Sequence, residues 1–440
     1  MPYRLFYVPI ATAWLCVVSL YAANSYKTPI NDIWIPLVVC GSFAVLLLGL
    51  YLIPTQTRKA APLLASITTI LLLMWMEFPD PIIPAFAIIG GIVLLYKAEK
   101  DVIHRITKAV GLIALFGVVA SGAMAFIDKS EPEVVTIKSN YELTETPDIY
   151  FIIPDRMPSI ESMIESGFDT SEFVSELESL GFYIDSDAMS IDPVLPGSAG
   201  VPTSRTLRFL TSVLNLGYDV PLEIPFNVAD NMVKGNQMID VMKANGYSYY
   251  HSGSWFEPSA YNMNADVNYI YKGEFIANFF YDSQFSTAVI DRSILRYANL
   301  LVGNRIQEEY NRAVFQAESV KSTAQYDSPK FVFAHILVPH PEYVFKPDGS
   351  KQDEGVSDTD AYYQQIEYAM IYLVDIVKAL PEDAIVIVQS DEGMLYDNHD
   401  YNDSLSLTQW NGILTAWRVP GNPEGVRSVD ILKYVLEQLS

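Results

Sequence analysis

The chain has 440 residues, half of them hydrophobic and only 18% charged, which excludes a polar, disordered protein. Its 28 Lys and Arg against 52 Asp and Glu give a net charge of −24, whereas a nucleic-acid binder needs cationic side chains for phosphate contacts. No nucleic-acid partner is therefore expected. The two cysteines, Cys16 and Cys40, lie in apolar stretches, so a disulfide framework for the rest of the chain is excluded.

Apolar runs dominate the first 127 residues. They cover residues 5–23, 33–53, 61–76, 82–96 and 109–127. A spanning helix needs about 20 apolar residues, so the first, second and fifth runs qualify by length. Prolines at the junction of the third and fourth runs indicate a tight hairpin. The pattern predicts a five-helix transmembrane region over residues 1–127.

The loop charges predict the orientation of these helices. Basic residues lie at alternate ends of the runs, namely Arg4, Arg58, Lys59, Lys97, Lys100, Arg105 and Lys108. Cytoplasmic loops carry the positive excess, so the amino terminus is expected inside and the large domain outside the cytoplasmic membrane. Residues 1–127 carry +3 and the remainder carries −27. A cleaved signal peptide is the alternative for the first run, although its apolar stretch is long for one.

The chain changes character after residue 127. Residues 128–147 are polar and aperiodic, which is typical of a linker, and an acidic extracytoplasmic domain is expected over residues 148–440. Short apolar runs at 149–153, 247–250, 330–337 and 384–389 predict strands. Longer periodic segments at 207–216, 231–245, 293–320 and 361–380 predict helices. This alternation predicts an α/β fold with a mixed, mainly parallel sheet covered by helices on both faces.

Three predicted strands end in residues that can carry chemistry. The first is followed by Asp155 and Arg156, the last by Asp391 and Glu392, and the strand at 330–337 by His340. Ligands of α/β sheets gather beyond the carboxyl ends of the strands, so carboxylates and a histidine there suit a divalent metal. Acidic residues also follow strands as turn formers or helix caps, and that alternative stays open.

Five segments form an ordered set of motifs. They are 147–155 (PDIYFIIPD), 206–215 (TLRFLTSVLN), 331–341 (FVFAHILVPHP), 390–393 (SDEG) and 413–417 (ILTAW). In this order they resemble the alkaline phosphatase/sulfatase superfamily. The segments are similar to its metal-binding first strand, its nucleophile helix, a histidine-bearing strand, its Ser-Asp-His-Gly motif and the strand after it. Five spans before such a domain resemble the layout of phosphoethanolamine transferases and lipoteichoic-acid synthases.

The resemblance implies a membrane-anchored, metal-dependent phosphotransferase or hydrolase with a phospholipid donor and a surface glycan or lipid acceptor. Thr206 is the implied nucleophile, with Thr203 and Ser204 as competitors, and a threonine hydroxyl needs a metal or base to become reactive. His340 would contact the phosphate or protonate the leaving group. The implied metal ligands are Asp155, Thr206, Asp391 and Glu392. The implied substrate contacts are His335, His340, Arg156 and His251.

Two departures from the resemblance shape the cofactor prediction. Arg156 stands where a glycine is usual, and Glu392 replaces the histidine ligand. The ligand set is then all oxygen, which favours Mn or Mg, with Ca as a further candidate, over Zn, or else no catalytic metal. The domain has no cysteine and the spacing at 202–205 does not fit, so no formylglycine is expected.

The same departures support an alternative in which the protein is inactive. In that case the domain would serve as a binding or scaffold module in cell-envelope assembly, and Phe209, where the family often has serine, fits this alternative. A transporter ranks last because the spans carry almost no ionisable residues. Two histidines outside the main motifs have plainer explanations: His251 as a loop residue, and His399, beside Asn398, as part of a polar loop or a late ligand.

Overall fold

The computed structural model describes residues 5–25, 28, 30–80, 82–127, 141–191, 204–273, 283–298, 305–353, 355–394 and 407–440. The chain divides into two compact units. One consists of Met1–Glu131 with Glu274–Asn304, and the other of Pro132–Gly273 with Arg305–Ser440. A segment that the sequence pattern assigned to the outer domain thus groups with the amino-terminal residues. The boundaries at 127/128 and 147/148 stay a prediction.

Each of the five apolar runs contains a helix. The helices are α1 (Tyr7–Asn24), α2 (Trp34–Leu52), α3 (Ala61–Leu73), α4 (Ile82–Lys97) and α5 (Lys100–Ile127). Among the described residues, three segments are long and apolar enough to cross a membrane: Tyr7–Asn24, Ile30–Leu52 and Lys100–Ala125. α3 and α4 are shorter, with 13 and 16 residues. These helices fit a membrane anchor, whereas the count of five spans and their orientation stay predictions.

A later helix, α12 (Gln284–Asp291), belongs to the same unit. Its Phe285 and Val289 are one helical turn apart and are buried in a cluster with Tyr21 and Ile33. The Phe285 ring meets the Tyr21 ring edge-on, with centroids 5.8 Å apart. The predicted helix over 293–320 is described only in part, as a 3₁₀ turn (Ile294–Ala298) and a helix that begins at Arg305.

The second unit is built on a sheet of seven described strands. They are β1 (Ile149–Pro154), β2 (Tyr183–Ile184), β3 (Ser248–Ser252), β4 (Val267–Tyr269), β5 (Lys330–Ile336), β6 (Ile385–Gln389) and β7 (Thr415–Arg418). Their order is β2-β7-β6-β1-β5-β3-β4. The pairs β6–β1, β1–β5, β5–β3 and β3–β4 are parallel, whereas β7 and β2 pair antiparallel at one edge. The predicted mixed, mainly parallel sheet is confirmed.

Helices cover both faces of this sheet. They are α6 (Ile160–Glu165), α7 (Ser171–Ser179), α8 (Arg205–Leu214), α9 (Phe226–Lys234), α10 (Gln237–Ala244), α11 (Glu257–Ala260), α13 (Arg305–Ser322), α14 (Asp358–Lys378), α15 (Leu407–Asn411) and α16 (Ile431–Leu439). Successive residues of a strand point to opposite faces. Accordingly, Tyr150 and Ile152 join one hydrophobic core, and Ile149, Phe151 and Ile153 join the other. The expected α/β class is therefore confirmed.

The predicted helix over 231–245 is wrong as a single element, because α9 and α10 replace it. Gly235 follows the last turn of α9 and Asn236 begins the next helix. The Asn236 side chain accepts a hydrogen bond of 3.0 Å from the amide of Ile239, which is a standard amino-terminal cap. A glycine and an asparagine side by side therefore end one helix and start another.

A buried ion pair joins β1 and β5 at their amino ends. Lys330 is only 1% exposed, and its Nζ bonds to the Asp148 carboxylate and, at 3.0 Å, to the carbonyl of Tyr326. The Lys330 amide also donates to Asp148 Oδ1 at 3.1 Å. These bonds fix the two strands side by side, so their carboxyl ends emerge together at the opposite edge.

Candidate metal centre and nucleophile

Three neighbouring parallel strands bring Asp155, His335 and Asp391 together. Asp155 follows β1, Asp391 lies two residues beyond β6, and His335 occupies β5 opposite Ile153. One ligand atom from each of the three lies within 4.8 Å of the others, and all three side chains are buried. The spacing and the donor types are those of a group that could hold a divalent cation.

The hydrogen bonds of the two carboxylates test this fit. Asp155 Oδ2 lies 3.2 Å from His335 Nε2, and Asp391 Oδ1 accepts a bond of 3.3 Å from the amide of Arg156. The other oxygens, Asp155 Oδ1 and Asp391 Oδ2, are buried without a hydrogen-bond partner in the described part of the chain. Buried polar atoms without partners are costly. Since a cation would satisfy both oxygens, the residues fit a divalent metal.

The electrostatics of the carboxylates agree with this fit. Burial raises the pKa of Asp391 to about 7, and the negative charges of Asp155 and Glu392 add to the rise, whereas His335 and the nearby hydroxyl of Thr206 act against it. Burial acts on Asp155 in the same direction, but His340, His335 and Arg156 outweigh it and lower the pKa of Asp155. Two anionic ligands crowded in a dry site repel each other, and a bound cation would relieve that repulsion.

Thr206 lies at the start of α8, next to this group. Ser204 precedes the helix, and its side chain caps it by accepting a bond of 3.2 Å from the amide of Leu207. The hydroxyl of Thr206 is buried and donates a hydrogen bond of 2.6 Å to Glu392 Oε1. Of the three competing hydroxyls, Ser204 therefore serves as a cap and Thr206 faces a carboxylate. Thr203 lies outside the described residues.

The backbone around Asp391 is held in place by Ser390. The Ser390 hydroxyl accepts a bond of 3.0 Å from the Met157 amide and donates one of 3.0 Å to the carbonyl of Glu392. Gly393 follows, and a Cβ there would lie 2.6–2.8 Å from backbone oxygens of residues 409–412. Only glycine permits this close approach. Residues 390–393 are therefore held in place between the Met157 amide after β1 and the backbone of residues 409–412.

Arg156 occupies the position where the resemblance has glycine, and its backbone explains that preference. Its φ is +63°, in the left-handed region that favours glycine. The Arg156 carbonyl accepts a bond of 2.9 Å from the Tyr362 hydroxyl, and its Nε lies 4.0 Å from Glu392 Oε2. An arginine is thus kept in a strained conformation beside the carboxylate that contacts Thr206.

Sequence reasoning did not single out Arg205. Its guanidinium donates to the carbonyl of Trp410 at 3.1 Å and to Asn411 Oδ1 at 3.0 Å, and it lies 5.8 Å from the centre of the Trp410 ring. Burial lowers the pKa of Arg205, against the opposing charges of Glu392 and Asp391. The available signal was its position next to Thr206 in the sequence.

The other two predicted histidines differ in what their ring nitrogens contact. His340 Nδ1 bonds to the carbonyl of Pro341, and desolvation and the charge of Arg156 lower its pKa. His251 donates from Nε2 to the carbonyl of Ser259 at 2.8 Å, and its Nδ1 lies 2.7 Å from the Tyr249 hydroxyl. His251 lies in β3 and not in a loop, so its interpretation as a loop residue was wrong. Both of its ring nitrogens are used inside the protein, which is typical of a structural histidine.

The structure brings the predicted residues Asp155, Thr206, Asp391 and Glu392 together. It adds His335 to the possible ligands, where the sequence assigned it to substrate binding. Their roles, and those of Arg156, His340 and His251, stay predictions. Asn398 and His399 lie outside the described residues.

No protein-family model matches the chain, and no curated protein matches it in sequence. Solved structures similar to it include the carboxy-terminal periplasmic domain of EcEptC from Escherichia coli in complex with Zn, at 12% identity over 63% of this chain and 75% of that one, with a TM-score of 0.39. The corresponding domain of phosphoethanolamine transferase EptC from Campylobacter jejuni is 10% identical over 62% and 79%, with a TM-score of 0.37. A protein in the alkaline phosphatase superfamily from Vibrio parahaemolyticus is 14% identical over 66% and 64%, with a TM-score of 0.38. Members of the superfamily that the motifs resemble are thus among the structures similar to this chain.

Proposed function

We propose that this protein is a membrane-anchored, divalent-metal-dependent phosphotransferase, or a hydrolase where water is the acceptor, that acts on phosphoesters outside the cytoplasmic membrane. The observation that carries the proposal is the hydrogen bond of 2.6 Å from Thr206 to Glu392, beside the buried group of Asp155, His335 and Asp391. A hydroxyl held against a carboxylate, next to possible metal ligands, is an arrangement suited to nucleophilic attack on phosphorus.

The residues that would hold the cation are Asp155, His335 and Asp391. A bound divalent ion would neutralise phosphoryl oxygens and lower the pKa of a nearby hydroxyl. The set is not all oxygen, as the sequence predicted, because His335 adds an imidazole nitrogen. The two carboxylates favour Mn or Mg, and the imidazole makes Zn a candidate beside them. Glu392 is engaged with Thr206 and Arg156, which supports a role at the nucleophile rather than at the metal.

The proposed reaction has two half-steps. In the first, Glu392 takes the proton of Thr206 Oγ1 while this oxygen bonds to phosphorus. The bond from phosphorus to the leaving oxygen breaks, and that oxygen, on the side of phosphorus opposite Thr206, takes a proton from solvent while Glu392 keeps the proton of Thr206. In the second, an acceptor hydroxyl bonds to phosphorus and gives its proton to His340 Nε2, the bond to Thr206 Oγ1 breaks, and Glu392 returns its proton to Thr206. His340 then releases its proton to solvent, so the protons balance over the cycle.

The guanidinium of Arg156 would bind the phosphoryl group, and the ring of His340 would bind the acceptor. Arg156 lies beside Glu392 and would pair with phosphoryl oxygens. The lowered pKa of His340 keeps its ring neutral, and Nδ1 is bonded to Pro341. Its Nε2 would therefore accept a hydrogen bond from the acceptor hydroxyl rather than donate a proton to the leaving group.

The substrates are proposed from the membrane segments and the motif resemblance. Apolar helices fit a membrane anchor, which would keep the site close to lipid headgroups. The donor would be a phospholipid headgroup, and the acceptor a surface glycan or lipid.

The test is a search for a phosphorylated adduct on Thr206. The full-length protein is reconstituted in vesicles of phosphatidylethanolamine and phosphatidylglycerol with Mn²⁺, and the peptide containing Thr206 is analysed by mass spectrometry. We expect an adduct that is lost in Thr206→Ala and on chelation of the metal. Ser204→Ala is the matched control, since it removes the neighbouring hydroxyl and should keep the adduct. An unmodified wild-type protein, or an adduct on Thr206→Ala, would contradict the proposal and favour the scaffold alternative.

A further inference from the structure

Behind the candidate metal group lies a buried serine, Ser259 in α11. Its hydroxyl oxygen lies 2.7 Å from His335 Nδ1, on the side of the ring opposite the Nε2 that faces Asp155. Both Ser259 and His335 are fully buried. A second serine, Ser254, lies further away, with its hydroxyl 3.4 Å from the same nitrogen. Ser259 is therefore the main partner of His335 Nδ1.

The imidazole of His335 needs different partners with and without a cation. When Nε2 donates its proton to Asp155 Oδ2, Nδ1 carries a lone pair and requires a donor. When Nε2 binds a metal, the proton resides on Nδ1 and requires an acceptor. A hydroxyl can act as either. The Ser259 hydroxyl can donate to Nδ1, or it can accept from Nδ1–H while its own hydrogen bonds to the carbonyl of Phe256 at 3.2 Å.

The surrounding residues hold Ser259 in position for both arrangements. Gly253 packs so closely on the 259–260 backbone that a Cβ would lie 2.3 Å from the Ser259 carbonyl oxygen. Gln316 in α13 donates to the carbonyl of Gly253 at 2.8 Å and to that of His335 at 2.7 Å. His251 donates to the Ser259 carbonyl at 2.8 Å. These bonds hold the backbone of Gly253, Ser259 and His335 in place. The Ser259 hydroxyl also lies 3.2 Å from the Ser254 hydroxyl.

We infer that Ser259 is a positioning residue for His335. Its hydroxyl rotates when His335 exchanges the hydrogen bond to Asp155 for a bond to a metal, so that Nδ1 of His335 keeps a hydrogen-bond partner in both states. This inference rests on the proposed function, because it presumes that His335 is a ligand. Ser259 acts through His335 and contacts neither the substrate nor the cation. Partners of this kind orient a ligating histidine and strengthen metal binding.

The test measures metal affinity in the absence of substrate. Mn²⁺ is titrated calorimetrically into the full-length protein in detergent, and Co²⁺ absorption reports the ligand set. We expect Ser259→Ala to weaken Mn²⁺ binding about 10- to 100-fold. Ser254→Ala, the matched control, removes the contact of 3.4 Å to His335 and a contact of 3.2 Å to the Ser259 hydroxyl, but it leaves the bond of 2.7 Å between Ser259 and His335. Its Mn²⁺ affinity should therefore stay within about 3-fold of the wild type. Ser259→Thr should recover most of the affinity because it restores the hydroxyl.

The outcomes separate this inference from the proposed function. Equal Mn²⁺ affinity in the wild type and Ser259→Ala would overturn the inference and leave the metal site standing. No Mn²⁺ binding by the wild type would overturn both. Ser259→Ala could also lose Mn²⁺ affinity together with a matching loss of thermal stability in the metal-free protein. If Ser259→Thr then fails to restore the affinity, Ser259 is merely structural and the inference is overturned. If Ser259→Ala fails to fold, Ser259→Cys replaces it, and an intermediate affinity is then expected because a thiol is a weak donor and acceptor.

Discussion

The hydroxyl of Thr206 and the carboxylate of Glu392 form a short hydrogen bond of 2.6 Å inside the protein. The sequence motif assigned Glu392 to the metal because a histidine ligand is usual there. The contact instead supports the proposal that Glu392 is a base acting directly on Thr206, the proposed nucleophile. Removing the negative charge of Glu392 distinguishes the two roles: loss of a metal ligand would weaken metal binding, and loss of a base would slow the reaction of Thr206.

Glu392→Gln separates them. The amide keeps an acceptor for Thr206 but cannot take its proton, so we expect adduct formation to slow about 10²- to 10⁴-fold. Mn²⁺ affinity should change less than about 3-fold, because the side chain is not required as a ligand. Rapid-quench kinetics and calorimetry measure the two quantities. If Glu392→Gln loses Mn²⁺ binding, Glu392 is a metal ligand, as the sequence predicted, and not a base.

The positive φ of Arg156 makes a pair of substitutions informative. Arg156→Gly removes both the charge and the left-handed strain, whereas Arg156→Ala removes only the charge. We expect the glycine variant to be about 1 kcal/mol more stable than the alanine variant, as seen in chemical denaturation. Both should form the adduct more slowly than the wild type, since both lack the guanidinium beside Glu392. An alanine variant at least as stable as the glycine variant would show that this backbone stores no strain.

Acid should destabilise the protein through His251. Burial lowers the pKa of His251 from 6.5 to about 4. Because the folded-state pKa is the lower one, the neutral ring stabilises the fold fully above about pH 6.5, and this stability is lost as the pH falls towards 4. We therefore expect this residue to lower the free energy of unfolding by about 3 kcal/mol at pH 4.

His251→Gln isolates this contribution, because the amide nitrogen can still donate towards the Ser259 carbonyl and does not titrate. Thermal unfolding from about pH 7 to about pH 4 should show a shallower decline for the variant than for the wild type. Parallel curves would mean that other groups dominate the acid response.

The Lys330–Asp148 pair should be sensitive to the loss of one partner. Lys330→Met leaves Asp148 buried without its cation, and we expect it to lower the free energy of unfolding by about 3–5 kcal/mol. The double variant Lys330→Met with Asp148→Leu should be less destabilised than the single one, because no uncompensated charge remains. Chemical denaturation of the three proteins measures both effects. A double variant as unstable as Lys330→Met would contradict this expectation and would show that losing the Asp148 bond to the residue-330 amide costs as much as the unpaired charge.

The α/β class followed from the sequence because the strands β1, β5 and β6 are continuous apolar runs between longer periodic segments. β2 and β4 were not predicted, since they have only two and three residues and gain their order from their neighbours in the sheet. The break between α9 and α10 could have been anticipated, because Gly235 and Asn236 are typical end and start residues of helices.

The candidate site was predictable where a residue follows a strand, as Asp155 and Asp391 do. His335 was harder, because a histidine within a strand is usually part of the core. Its approach to Asp155 depends on the register of β5 against β1, which local sequence does not encode. The contact of Arg156 with the Asp391 carboxylate depends in the same way on two distant segments meeting.

The burial of Phe285 and Val289 among the apolar amino-terminal helices has a practical consequence for biochemistry. An excised fragment that begins at residue 148 would carry both side chains without their apolar neighbours. Such a fragment would tend to aggregate, and polar replacements at these two positions should improve its solubility.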